Sequence, residues 1–154
     1  MELAAQVKVF QCCHDGTLVR LEADPVNGDI HWVIDCEYIV EMMEPGTSEL
    51  RGCFRGCTEL YFQEWGSERR VEKLEELAAL ELEVYAASER DGAVSVVCYL
   101  PPETYASPSR GGELVIRTRD LALWTPSSRS ITVEELLGAS AAYWQGFARK
   151  STET

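Results

Sequence analysis

The sequence predicts an α+β domain: a curved antiparallel β-meander of about seven strands, a half-open barrel, with a C-terminal amphipathic helix packed on its concave face. Three observations carry this reading. A long stretch alternates apolar and polar residues with period two, turn dipeptides separate several such stretches, and an amphipathic pattern near the C-terminus opens on a capping motif.

The alternation is clearest where Ile30, Trp32, Ile34, Cys36, Tyr38 and Val40 interleave with Asp29, His31, Val33, Asp35, Glu37 and Ile39. Side chains two apart share a strand face, so the first set is expected in the core and the second on a wetter, acidic face. Asn27-Gly28 just before it suits a type I′ hairpin turn and places a partner strand over Thr17 to Ala23. A turn at His14-Asp15-Gly16 would return that strand onto a third, Val7 to Cys13. After the breaker Glu44-Pro45-Gly46-Thr47-Ser48 a long strand is expected over Leu50 to Gln63, with Gly52 and Gly56 marking bulges or close backbone approach.

Val71, Leu74, Leu77 and Ala78 have helical spacing within the charged stretch 66–79, which predicts a short surface helix. Strands over Leu80 to Ala86 and Ala93 to Leu100 form a second hairpin about Asp91-Gly92. Pro101 to Gly112 reads as a long irregular loop, followed by strands over Glu113 to Thr118 and Leu121 to Thr125. The final helix opens with Thr132 and Glu135 as a capping box, and Val133, Leu136, Leu137, Ser140, Trp144 and Phe147 form its apolar stripe. Gly138 inside it is expected to admit a close neighbour.

With 154 residues and ordinary apolar and charged fractions, the chain reads as one domain with its own core. No apolar run approaches the roughly 20 residues of a membrane span, and the N-terminus has no export signal, so the expected place is the cytoplasm. Arginine greatly outnumbers lysine, a bias associated with a bacterial source. There the six cysteines are expected as reduced thiols.

The net charge of −12 is uneven: residues 1–49 hold ten acids and two bases, residues 92–154 six of each. Such a charge repels phosphate backbones and anionic lipid and attracts a basic partner, so neither nucleic acid nor membrane is an expected ligand.

No catalytic residue, cofactor or metal site is predicted. Cys53 and Cys57 lie roughly 13 Å apart in an extended strand, Cys12 and Cys13 point to opposite strand faces, and packing is the stronger reading for all of them. His31 and Asp35 are too far apart along the strand to bond. In Arg51-Gly52-Cys53-Phe54-Arg55-Gly56-Cys57 the arginines Arg51 and Arg55 could contact an anion; the stronger alternative pairs both with acids on adjacent strands.

The leading functional expectation is a non-enzymatic protein-binding module, an immunity-type inhibitor or regulator of a basic protein. Its interface would use Asp29, Asp35, Glu37 and Glu41 on an acidic sheet face with Tyr61 and Trp65 interleaved. The alternative is a small-ligand-binding or enzymatic β-barrel whose pocket, between sheet and final helix, is lined by Trp32, Tyr38, Tyr143 and Trp144.

Overall fold

A computed structural model describes residues 1–104 and 108–152. The architecture is α+β. Eight antiparallel strands make one sheet curved into a partial ring, four helices accompany it, and the C-terminal helix packs against it.

The N-terminal segment departs from expectation: Leu3–Cys12 is helix α1, not a strand. Val7 and Val9 suggest alternation, but Gln6, Val9, Phe10 and Cys13 are all buried, and that is the i, i+3, i+4, i+7 spacing of a helix face. Phe10 reaches into the curved sheet, with ring centroids 5.7 Å from Trp32 and 6.2 Å from Phe54.

Strand β1 (Thr17–Ala23) pairs with β2 (Ile30–Asp35) as expected. Their connection is longer than a two-residue turn: the Asp24 amide donates to the Asp29 carbonyl and the Gly28 amide to the Asp24 carbonyl, with Gly28 alone at positive φ. Strand β2 stops at Asp35. The chain then turns into helix α2 (Glu37–Met43), which corrects the expected continuous strand to Val40. Alternation was again the wrong period, since the buried positions Cys36, Ile39 and Val40 follow helical spacing.

Strand β3 (Glu49–Glu64) runs the whole predicted length and bends at Gly56, which has φ of 63° beside a register shift between Cys57 and Glu59. The short strand β4 (Arg70–Val71) and helix α3 (Leu74–Ala79) replace the single expected helix. Strand β5 (Glu83–Arg90) starts later than predicted, after Glu81 adopts a φ of 51°. It forms a hairpin with β6 (Ala93–Tyr99) through Asp91 and Gly92, both at positive φ as a type I′ turn requires.

The two last predicted strands are one, β7 (Gly111–Trp124), which pairs with β3 from Arg51↔Trp124 to Glu64↔Gly112. Residues 105–107 of the predicted loop before it lie outside the described residues. The short β8 (Ser130–Ile131) leads into α4 (Val133–Thr152). Thr132 caps this helix through its hydroxyl, which accepts from the Glu135 amide at 3.1 Å; Glu135 itself pairs with Arg129 rather than completing the box.

The β3–β7 ladder bends the sheet round so that β1 and β5 meet. That seam is thin: one residue pair, Thr17↔Glu83, and a few backbone bonds such as Leu18 amide to Leu82 carbonyl. The concave interior is occupied by α1 and by Trp32, Ile34, Phe54, Ile116 and Leu123. Helix α4 buries Leu136 and Ala139 near its start and lies along α1 and α2. Gly138 is not at a close approach, because a Cβ there would meet nothing within 4 Å.

Candidate functional site

Helix α2 sits where the chain leaves β2, and α4 returns beside it, so the exposed side chains of two helices meet at one edge of the fold. Tyr38 of α2 lies 4.9 Å, centroid to centroid, from Tyr143 and 6.4 Å from Trp144. Tyr143 and Trp144 are 5.1 Å apart, and Phe147 continues the series 5.8 Å from Trp144. The outer rings stay in water, with Trp144 at 42% and Phe147 at 55% exposure, beside Met42 at 48%.

A shallow depression of about 440 Å³ runs between the helices, lined by Glu37, Tyr38, Glu41, Met42 and Tyr143. Glu37 is exposed in the first turn of α2, and the Glu41 carboxylate accepts from the Gly46 amide at 2.8 Å. Among the described residues neither has an ion-pair partner. The result is an aromatic ridge with carboxylates along one side. Behind it, the Tyr38 hydroxyl is buried with no hydrogen-bond partner among the described residues, and burial, then the Cys13 and Cys36 thiols, drive its pKa upward.

The expected pocket lining therefore separates. Tyr38, Tyr143 and Trp144 come together, whereas Trp32 belongs to the core, 1% exposed against Phe10 and Phe54. Between sheet and helices the interior keeps a void of only about 10 Å³, no more than one water's room. The physical reason is α1: the segment expected as a strand fills the concave space instead.

The acidic residues also disperse. Asp29 and Asp35 lie at opposite ends of β2, with Asp29 accepting from the Gly56 amide at 3.4 Å. Glu37 and Glu41 are on α2, away from the sheet face. Tyr61 stacks under the Arg70 guanidinium at 4.2 Å, and Trp65, 51% exposed, packs on Tyr99.

Arg55 pairs with Asp120 at 3.7 Å and sits over the Trp124 ring. Among the described residues Arg51 has no such acid. The thiols are free, and among the described residues no cluster of His, Cys, Asp or Glu could hold a metal. No helix of the described residues is long and apolar enough to cross a membrane.

No family model, curated protein or solved structure matches this chain. The functional reading rests on its own surface. Met42, Phe147 and Tyr143 are the parts of the ridge that sequence reasoning did not assemble as an exposed surface; Trp144 and Phe147 in one helical stripe were the available signal, read as core.

Proposed function

We propose that this protein is a non-enzymatic binding module of the bacterial cytoplasm, an immunity-type inhibitor or regulator that engages a basic protein through the α2–α4 ridge. The single observation that carries this reading is the set of exposed rings, Trp144 and Phe147 foremost, flanked by the carboxylates of Glu37 and Glu41, which have no ion-pair partner among the described residues.

Exposed aromatics and methionine in one patch are costly in water and are the residues that anchor protein interfaces. Carboxylates beside them select a partner with Lys or Arg around an apolar centre, and the net charge of −12 steers such a partner inward. Relative to the sequence expectation, the interface keeps Glu37 and Glu41 and moves from the sheet face to the helices. It does not use Asp29, Asp35, Tyr61 or Trp65.

The test is capture from lysate of the source organism on immobilised protein, at low and high salt, beside Trp144→Ala and Glu37→Gln/Glu41→Gln variants. The expected result is a stoichiometric basic protein held by the unaltered chain, released by salt, and missing from both variants. Retention of the same proteins by all three, or of none, would overturn the proposal.

A further inference from the structure

A second surface, on the convex face of the sheet, is independent of the helical ridge. Registers place Arg20 opposite Val33, Val33 opposite Arg51, and Arg51 opposite Trp124, so these four residues form one row across β1, β2, β3 and β7. Strands lie about 4.8 Å apart, which sets the two arginine backbones roughly 10 Å from each other with Val33 between them. Val33 is 7% exposed and forms the floor of a groove of about 350 Å³, closed at one end by Trp124 and Ser128.

Neither the Arg20 nor the Arg51 side chain takes part in a hydrogen bond or ion pair among the described residues. By contrast, Arg55, Arg90, Arg110, Arg117 and Arg129 all have carboxylate partners. Arg51 is also half-buried, and a partly desolvated guanidinium without a counter-charge is unfavourable. Arg55, paired with Asp120, lies 5.9 Å from the Trp124 ring centroid, a cation–π contact beside the groove. The facing carboxylate is Glu22, which stands opposite His31 in the next row.

We infer that this groove binds a small phosphate-bearing ligand with a flat ring. Its phosphate is held between Arg20 and Arg51, and its ring lies on Val33 and Trp124. Two guanidiniums suit a dianion because each offers parallel N–H donors to its oxygens. The apolar floor and the indole give the ring a contact that water does not.

Calorimetric titration with phenyl phosphate at low ionic strength tests the site, with inorganic phosphate and phenol as its two halves. Phenyl phosphate should bind more tightly than either half, and Arg20→Gln or Arg51→Gln should each weaken it about tenfold, the loss of one charge-assisted contact. Both arginines lack partners, so their removal should leave the fold intact by circular dichroism. Arg69→Gln, an equal change of charge outside the groove, should leave binding unchanged. Absence of binding, equal weakening by Arg69→Gln, or inorganic phosphate binding as tightly as phenyl phosphate would each overturn the inference.

Discussion

The Trp32 indole lies across Gly52 of the neighbouring strand, so closely that a Cβ at position 52 would fall 2.0 Å from its ring. The two residues are register partners, and the missing side chain is what lets the largest core residue lie flat against the sheet. Gly52→Ala should therefore displace Trp32 from its contacts with Phe10 and Phe54 and cost about 2 kcal/mol or more, the usual penalty of overpacking. Urea denaturation followed by tryptophan fluorescence measures it, and stability equal to the unaltered chain would show that the indole has another place to go.

The Tyr38 hydroxyl, like the Trp32 Nε1, is a polar atom that the fold buries with no hydrogen-bond partner among the described residues. Removing the hydroxyl while keeping the ring should leave stability unchanged or raise it by about 1 kcal/mol, since an unsatisfied buried hydroxyl costs that much or more. Tyr38→Phe compared with the unaltered chain in urea decides the matter; a clear loss of stability would mean the hydroxyl is bonded in solution.

Helix α4 yields two changes of opposite sign. Gly138 is exposed with open space around it, so Gly138→Ala should stabilise by about 0.5 to 1 kcal/mol through helix propensity alone. Thr132→Ala removes the hydroxyl that accepts from the Glu135 amide and should cost about 1 kcal/mol. Thermal unfolding of both variants, and of the pair together, checks the signs.

The Arg110 guanidinium grips Glu64 through two bonds of 2.7 and 3.0 Å and, by that hydrogen bonding first, lowers the carboxyl's pKa below its ordinary value. A folded pKa below the unfolded one means that the pair stabilises the fold above the unfolded value and that this contribution is lost as pH falls through the folded one. Arg110→Gln should return the Glu64 titration toward an ordinary glutamate, near 4.3. NMR titration of the Glu64 side chain should show a rise in midpoint; an unchanged midpoint would assign the shift to something other than Arg110.

Burial pushes the Cys98 thiol up to about 12 and raises those of Cys12 and Cys53, while hydrogen bonding with Cys36 and then burial raise Cys13; all four are buried. Cys57 is raised as well but only half-buried. Iodoacetamide at pH 8 should therefore modify Cys57 first and leave the others intact until denaturant is added. Peptide mass spectrometry reads the order directly, and early labelling of Cys98 would contradict the packing.

Much of the sheet could be read from local pattern. The strand Thr17–Ala23, the long strand after residue 48 and the Asp91-Gly92 hairpin all follow from period-two alternation and turn chemistry. The two misread segments, around Val9 and around Tyr38, share one cause: in a short apolar run both periods fit, and only burial separates them. The ridge was half visible, because its α4 members share a stripe while Met42 joins only once α2 is known to be a helix. The arginine row was invisible, since Arg20, Val33, Arg51 and Trp124 are neighbours only through three registers between distant parts of the chain.

The long pairing of β3 with β7 has a further meaning in time. It joins groups such as Thr118 and Arg55, 63 positions apart in the chain, and everything from β4 to β6 must be strung between them. Closing so large a loop loses entropy before any contact compensates, so the two hairpins, which are local, should form before the β3–β7 pairing. Until β7 pairs with it, the edge of β3 would stand open to neighbouring chains, so refolding yield should fall as protein concentration rises.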